Sequence, residues 1–502
     1  MRIKPKTHLS RQEFVTDLDN LFDIAHADAL KLIKIDEDRI FLQRQREPGR
    51  PGHLAGVDKK LADKEEKSRL RNIEEQNHKE QLIAVPKLDN STGSEQAEAI
   101  RNAVTDWNLE DKVQILCCDT TASNTGRING ACVLLEQKFN REMLIFGCRH
   151  HIYELVLKGV FEDKISQVTN NPDIPLFKKF RDNWKNIDPE KIQNPTEIIS
   201  CLNVSEVKSL LEFYRTELTK NIVRDDYRYR DELIELSIIF LGGDTEKKFK
   251  IRPPGAMHQA RWMARALYSL KICLLSSQFK ISNKDKVALL DVCMFIVTCY
   301  VKPWLQCILA VKTPNQDLCF LKTMKEYEKV DKTISKAALQ KFSQHLWYLT
   351  YEVAVLSLFD DDVDHETKIK IVQSLSNENH SPHNKRYVPS KEDLCGSLYE
   401  KDIDNFTSVK SKALFDRFKI DDSFLPECPT SWSNNAIFLQ VKAQMLKLRA
   451  VNDTAERAVK LMQDFHGKIT VDEEQKQFLL RCIQEHRVKY PDCRRMTLKR
   501  KF

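Results

Sequence analysis

The feature that most constrains the fold is an alternation of short apolar runs and helical segments between residues 82 and 161. The apolar runs read QLIAVPKL, VQILCC and MLIFG, and short apolar runs of this kind, bounded by polar residues, are typical of buried strands. A segment with apolar residues at helical spacing follows each run. This order of strand and helix, repeated along the chain, predicts an α/β unit with parallel strands.

The helices of this unit have recognisable beginnings and buried faces. Ser94 is expected to cap the first helix, and its inward residues are Ala97, Ile100, Val104 and Trp107. Asn124 or Thr125 is expected to cap the second, and its inward residues are Ala131, Leu134, Leu135 and Phe139.

Beyond Phe161 the pattern is helical almost to the end of the chain. The strongest helical segments are 205–219, 228–241, 256–277, 284–301, 333–357, 433–449, 453–466 and 472–488. The pattern predicts a predominantly helical protein with a small α/β core. The expected parts are an N-terminal helical segment (1–56), a charged linker (57–81), the first part of the core (82–161), a helical body (162–450) and C-terminal helices (451–502).

Composition limits the partners and the compartment. The net charge of +7 over 502 residues permits a nucleic-acid partner without requiring one. The 14 cysteines follow no regular framework, which favours reduced intracellular thiols. The most apolar region, 287–311, is interrupted by Asp291, Lys302 and Pro303, so we expect a buried helix pair there and no membrane span.

The apolar run VQILCC ends at Asp119, and Thr120, Thr121, Ser123 and Asn124 follow. Ligands of α/β units bind at the carboxyl ends of the strands, and a carboxylate at that point can hold Mg²⁺ together with waters and phosphates. Alternatively, Asp119 caps the turn before the helix through its short side chain. A phosphate-binding loop of the type Gly-x-x-x-x-Gly-Lys-Ser/Thr is absent, which argues against a P-loop ATPase. DTT is not the Asp-Thr-Gly of an aspartic protease.

Four motifs, in this order, resemble the catalytic region of hAT-type transposases, and the sequences CDTTASNTG, GAC and CRHHI resemble a group of transposase-like proteins from invertebrate genomes. A D-x-x-x-x-N stretch is followed by a C-x-x-H pair, an Arg-Trp pair and a helix that starts with small residues and Glu-Arg. The matching residues are Asp119 and Asn124, Cys148 and His151, Arg261 and Trp262, and Thr454, Ala455, Glu456 and Arg457.

The resemblance implies an RNase H-like core of few parallel strands, interrupted by a large all-helical insertion. It implies Mg²⁺-dependent cleavage and transfer of DNA strands, with Asp119 and Glu456 as the catalytic metal ligands. Arg261 and Trp262 would contact DNA, with the indole stacked on a base; the alternative is a Trp in the helical core. The resemblance further implies a nuclear protein with DNA as its partner, and it allows a homo-oligomer.

Parts of the family pattern are not evident. The first catalytic acid should precede Leu82, in a strand that the charged stretch 57–81 cannot form, so the core looks incomplete and catalysis impaired. A hairpin over Leu30–Arg46 with Asp36 at its turn could supply that acid. The alternative function is a non-catalytic scaffold that binds DNA or another protein. A helical-repeat protein is disfavoured because no repeat period is visible.

The cysteines and histidines of the core could also bind zinc. Cys148 and His151 supply two of the four ligands of a structural zinc site. His150, Cys132, Cys117 and Cys118 are near in sequence, but we expect no zinc, with Cys148 buried and His151 facing the acidic residues. The family's N-terminal zinc finger is not evident. Basic stretches near 163–186, 246–255 and 493–502 could bind DNA or form solvated faces.

Overall fold

The computed structural model describes residues 36–45, 88–165, 174–193, 203–220, 229–245, 251–254, 263–377 and 384–452, and the single positions 84, 86 and 249. The chain divides into two compact units, Met1–Gln81 and Leu82–Phe502. In the first unit only helix α1 (Asp36–Gln45) is described. The hairpin with Asp36 at its turn is therefore wrong: Asp36 begins a helix, where its carboxylate pairs with Arg39 on the next turn.

The second unit contains a small parallel sheet, as predicted, and two of its three predicted strands are found among the described residues. Strand β1 (Ile115–Cys118) pairs with β2 (Leu144–Gly147), and Leu116 lies opposite Ile145. The predicted strand at Gln81–Leu88 lies largely outside the described residues, and positions 84, 86 and 88 are not in a strand. Only these two strands are found in the described part of the chain, so the RNase H-like core stays a prediction.

The rest of the second unit is predominantly helical, also as predicted. Its α-helices, in chain order, are α2 (Gly93–Asp106), α3 (Ala122–Thr125), α4 (Ala131–Phe139), α5 (Arg149–Ile165), α6 (Pro175–Asn183), α7 (Val204–Thr219), α8 (Arg230–Phe240), α9 (Ala264–Leu274), α10 (Asn283–Gln306), α11 (Thr313–Glu326), α12 (Lys332–Phe342), α13 (Tyr351–Ala354), α14 (His365–Ser374), α15 (Leu398–Glu400), α16 (Ala413–Phe418) and α17 (Ala436–Met445). Short 3₁₀ and π segments join several of them.

Helices α2 and α4 and the segment that carries Tyr348 pack against the sheet. On one side, Ala97 of α2 packs with Ala131 and Leu135 of α4, and Leu116 of β1 packs against them. Elsewhere Phe146 of β2 contacts Tyr348, with ring centroids 5.5 Å apart. This second contact belongs to a large hydrophobic core that continues through the helical body.

Two predicted helix caps are wrong. The side chain of Thr92, and not that of Ser94, accepts the N–H of Glu95 at the start of α2. Neither Asn124 nor Thr125 caps the second helix, because they lie inside the short helix α3 and α4 begins only after Gly130. The predicted inward face of α4 is confirmed, since Ala131 and Leu135 are almost fully buried.

The most apolar region forms one long helix, α10, and not a helix pair. A π-turn at Ile296–Tyr300 lies within it, just before Pro303, which has no N–H to donate to the preceding turn. By length and composition α10 is the one helix among the described residues that could cross a membrane, but a core helix passes the same test, and most of its apolar window is buried in the protein.

The predicted helix 333–357 is interrupted. Helix α12 ends at Phe342, and regular helix resumes only at Tyr351. Between them Leu346, Trp347, Tyr348 and Leu349 are all buried. The Tyr348 hydroxyl donates to the carbonyl of Gly147, 2.9 Å away. Contacts with the end of β2 therefore override the helical periodicity of this stretch.

Candidate functional site

The carboxyl ends of the two strands lie side by side and bring the predicted motifs together. The N–H of Cys148 donates to the carbonyl of Cys118 at 2.7 Å, so the strand pairing extends one step beyond β2. Asp119 follows Cys118, and Cys148, which is fully buried, leads into α5. His151 lies in the first turn of that helix. The D-x-x-x-x-N and C-x-x-H motifs therefore share one edge of the sheet.

Asp119 is held by its own loop. Its Oδ1 accepts hydrogen bonds from the N–H of Thr121 (3.0 Å), the hydroxyl of Thr121 (2.6 Å) and the amide of Asn124 (2.8 Å). The first bond forms an Asx turn, the local arrangement in which an aspartate side chain substitutes for a backbone turn. All three bonds end on Oδ1, so this oxygen of the carboxylate is fixed by the loop.

The electrostatics keep Asp119 charged at neutral pH. Partial burial acts to raise the pKa of Asp119, but the hydrogen bonds from Thr121 and Asn124, with the nearby His151, outweigh it and lower the pKa. The pKa of His151 is lowered as well: burial disfavours the charged imidazole, and the charge of Asp119 only partly offsets this. The edge therefore presents an anionic carboxylate beside a neutral imidazole.

A second histidine, His345, reaches the same edge from the segment after α12. Burial, followed by the charges of Arg386, His151 and Lys341, lowers the pKa of His345 to about 4. Its Nδ1 is buried without a hydrogen-bond partner among the described residues. His345 was not found by sequence reasoning, because it lies in a stretch with helical periodicity and far from the other motifs.

Trp347 covers the end of β2 and was also missed. A Cβ built on Gly147 would lie 2.7 Å from Cδ1 of Trp347 and 2.9 Å from Cγ2 of Thr120, so the glycine permits the indole to approach the sheet. The indole N–H of Trp347 and the hydroxyl of Thr120 are buried and lack hydrogen-bond partners in the described part of the chain. The sequence HLWYL could have drawn attention only by its aromatic content.

The helical body returns to this edge just before the predicted glutamate. The carbonyl of Ala450 accepts the N–H of Arg149 at 3.0 Å, at the start of α5. The N–H of Ala450 in turn donates to the carbonyl of Ile308 at 2.8 Å, within a short antiparallel contact between Leu309 and Arg449. Thr454, Ala455, Glu456 and Arg457 follow a few residues later and lie outside the described residues.

Arg261 and Trp262 also lie outside the described residues, but the next residue does not. The N–H of Met263 donates to Oε1 of Glu154 at 2.8 Å, and the Tyr300 hydroxyl donates to the same oxygen at 2.5 Å. Met263 has a left-handed backbone, with φ of 64°. Glu154 lies one helical turn beyond His151, so Met263, the residue after the Arg-Trp motif, is attached to the same helix as the C-x-x-H motif.

Among the described residues, no group of three or more His, Cys, Asp or Glu side chains is arranged to hold a metal ion. Cys118 and Cys132 approach each other, with their sulfurs 3.6 Å apart. Of the predicted site residues, Asp119 and His151 are described at this edge, and Glu456 lies outside the described residues.

No protein-family model, no curated protein and no solved structure matches this chain. The resemblance to hAT-type transposases thus rests on the motifs and on their arrangement around the sheet.

Proposed function

We propose that this chain is a transposon-derived protein related to hAT-type transposases, and that it associates with DNA at the carboxyl edge of its sheet. In this proposal Asp119 and Glu456 retain the ancestral Mg²⁺ position. Strand cleavage is impaired because the first acid is not evident. The nuclear location belongs to the same proposal.

One observation carries the proposal, namely the hydrogen bond between Arg149 and Ala450. A transposase of this type needs acids that are distant in the sequence to meet at one metal pair. A helical insertion serves that purpose only if its end comes back to the strand that carries the aspartate. Ala450 lies beside the first residue of α5, which follows β2, and β2 pairs with the strand that precedes Asp119.

The residues at the edge fit a hard divalent cation. Mg²⁺ binds one or two carboxylates and keeps several waters and phosphate oxygens as its other ligands. Asp119 offers Oδ2, while Oδ1 is fixed by Thr121 and Asn124, so the carboxylate is already oriented. When bound, the metal would stabilise charge on the attacking and leaving oxygens of a phosphodiester. His151, neutral by burial, can orient a water or a phosphate oxygen by hydrogen bonding.

The alternative is a scaffold without metal or catalysis, and a specific observation favours it too. The Asx turn and the two further hydrogen bonds on Oδ1 give Asp119 a structural role that requires no ligand. In that case the carboxylate stabilises the loop between β1 and α4, and DNA or a protein binds elsewhere. The two proposals differ in whether Asp119 binds a divalent cation.

Cleavage of the polypeptide by bound iron tests the metal position directly. Fe²⁺ replaces Mg²⁺, and ascorbate with hydrogen peroxide generates hydroxyl radicals at the metal, which cut the nearby backbone. We expect cuts beside Asp119 and in the segment that carries Glu456, identified by mass spectrometry of the fragments. Asp119→Asn should remove both sets of cuts.

Asp163→Asn is the matched control, because Asp163 is an exposed acid at the far end of α5. Nicking of a supercoiled plasmid in Mg²⁺ should be weak or absent for the wild-type protein. If the wild-type protein is not cut beside Asp119, or if Asp119→Asn shows the same cuts, the scaffold is the better explanation.

A further inference from the structure

Two cysteines meet at the end of β1, directly before Asp119. Cys118 is the last residue of β1, and Cys132 is the second residue of α4. Their sulfurs lie 3.6 Å apart, although the two residues are separated by 14 positions in the sequence. Both are free thiols in the structure. Neither thiol has a role in the proposed function, so the pair calls for a separate explanation.

The elements that carry the two cysteines hold the sulfurs near each other. Cys118 pairs with Gly147 in the sheet, which fixes the backbone at the end of β1. Cys132 follows Ala131 at the start of α4, and Ala131 and Leu135 anchor this helix in a small hydrophobic cluster. Because a paired strand and a packed helix both restrict movement, each sulfur meets the other at a high effective concentration.

A disulfide needs little movement from this arrangement. An S–S bond is about 2.05 Å long, so the sulfurs of Cys118 and Cys132 must approach each other by about 1.5 Å. Each sulfur is bonded to Cβ, so a rotation about χ1 of the two side chains can supply this displacement without a change in the backbone. The pair is therefore placed for a covalent link, which other cysteines at this edge are not shown to be.

Cys118 is the member of the pair that an oxidant can reach. It is half-buried, whereas Cys132 is 3% exposed. A hydrogen bond with Cys132, followed by burial, raises the pKa of the Cys118 thiol. The thiolate is the form that reacts with peroxides, so the reaction at neutral pH is slow and favours a small oxidant.

We propose that Cys118 and Cys132 are a modification site, at which hydrogen peroxide forms a reversible disulfide. The sulfur of Cys118 attacks one peroxide oxygen and loses its proton, the O–O bond breaks, and the other oxygen leaves as water. The sulfur of Cys132 then displaces the oxygen of the sulfenic acid as a second water, and the S–S bond forms. Two thiols are oxidised and one peroxide is reduced to two waters.

The disulfide would join the end of β1 to the start of α4 across the loop that carries Asp119. Residues 119–131 then form a closed ring that includes the Asx turn of Asp119 and the whole of α3. A cross-link removes extended states of such a ring and leaves the folded state in place. We therefore expect oxidation to hold this loop closed, and this inference does not depend on the proposed function.

Mass spectrometry of tryptic peptides tests the disulfide. The full-length protein is treated with hydrogen peroxide over a time course, denatured in N-ethylmaleimide and digested without a reducing agent. Trypsin releases residues 113–127, with Cys117 and Cys118, and residues 128–138, with Cys132. We expect these peptides to become linked, with a mass lower by two hydrogens than their sum and with one maleimide on Cys117. Dithiothreitol should restore the separate peptides.

Two variants identify the sulfur that reacts. Cys118→Ser should abolish the linked peptides. Cys117→Ser is the matched control and should retain them, because successive side chains of a strand point to opposite faces. Linked peptides that persist in Cys118→Ser, or that disappear in Cys117→Ser, would overturn the inference.

The exposed cysteines show whether the oxidant has acted. Cys319, Cys395 and Cys428 are exposed, so peroxide should reach them early in the time course. If these three residues are oxidised while the wild-type protein still yields Cys118 and Cys132 as maleimide adducts, the inference is wrong. This comparison uses the wild-type protein alone, so it holds even if a variant fails to fold.

Hydrogen exchange measures the effect on the loop. Amides of residues 119–131 should exchange about tenfold more slowly in the oxidised protein than in the reduced protein, because the ring has fewer open states. Peroxide should not change their exchange in Cys118→Ser. Equal rates in the oxidised and reduced wild-type protein would overturn the expected closure of the loop.

Discussion

The hydrogen bond of Asn124 to Asp119 explains the D-x-x-x-x-N spacing by local structure. The short helix α3 turns the chain back, so that the amide of Asn124 donates to Oδ1 of Asp119 at 2.8 Å. A residue five positions away can reach the carboxylate only because Thr121 begins that turn with its own two bonds. The motif therefore orients one oxygen of Asp119 whether or not a metal binds the other.

His345 makes the stability of the protein depend on pH. The pKa of its imidazole is about 4 in the folded protein, against about 6.5 in an unfolded chain. Above pH 6.5 both states are neutral at this position. Between pH 6.5 and 4 only the unfolded state binds a proton, so the free energy of unfolding falls as the pH falls. Urea unfolding should show a loss of about 2 kcal/mol from this group between pH 7 and pH 5.

His345→Gln should remove that component and flatten the profile between pH 7 and pH 5. His365 is an exposed histidine at the start of α14, and His365→Gln serves as the control that should keep the wild-type profile. A His345→Gln profile parallel to that of the wild type would show that the imidazole is not buried as described.

At the scale of elements, the sequence predicted β1 and β2 well and one helix badly. The runs around β1 and β2 are apolar, short and bounded by polar residues, so composition and length identify them without tertiary information. The stretch 333–357 has the same helical period throughout, yet the chain leaves the helix at Ser343 and returns at Tyr351. The deciding contacts, those of Tyr348 and Trp347 with Gly147, join residues far apart in the sequence. No local pattern contains them.

A substitution at Gly130 tests how tightly the backbone of the loop before α4 is packed. Alanine there would place its Cβ 2.4 Å from the nitrogen and 2.5 Å from the carbonyl oxygen of Gly126, and 2.9 Å from the carbonyl oxygen of Asn124. Backbone atoms cannot move aside as a flexible side chain can. Gly130→Ala should therefore lower the free energy of unfolding by about 1 to 3 kcal/mol, measured by urea denaturation.

Gly396→Ala is the matched control, since no atom lies within 4 Å of its Cβ position. It should unfold at nearly the wild-type urea concentration. If Gly130→Ala is as stable as this control, the loop is looser than the contacts indicate.

At the scale of the whole molecule, the order of an α/β part and a helical body was predictable, but the way they join was not. Periodicity identifies each helix by itself and says nothing about which helix meets the sheet. The return of Leu448–Ala450 to Ile308–Ala310 and Arg149 depends on backbone hydrogen bonds between segments with no shared sequence pattern. The same holds for the buried ion pair of Arg149 with Asp317, which joins the first residue of α5 to α11.

The energetic contribution of that ion pair to the contact between α5 and the helical body can be measured. Nη2 of Arg149 lies 2.6 Å from Oδ1 of Asp317, and both side chains are 1% exposed. Gln316 accepts a further hydrogen bond from the guanidinium at 2.6 Å. Removal of one partner leaves a buried charge without compensation, so Arg149→Met or Asp317→Leu alone should each lower the free energy of unfolding by about 3 to 5 kcal/mol.

The double variant Arg149→Met/Asp317→Leu should recover much of that loss, because a buried ion pair can be replaced by apolar side chains of similar volume at little cost. A double-mutant cycle by urea unfolding gives the coupling energy. The exposed pair of Lys370 with Glu366 on α14, 3.0 Å apart, is the control, and Met and Leu at those positions should show a coupling of at most about 0.5 kcal/mol. Additive losses at Arg149 and Asp317 would mean that the sheet edge and the helical body are held together by apolar packing alone, and that the position of Ala450 beside α5 does not depend on this pair.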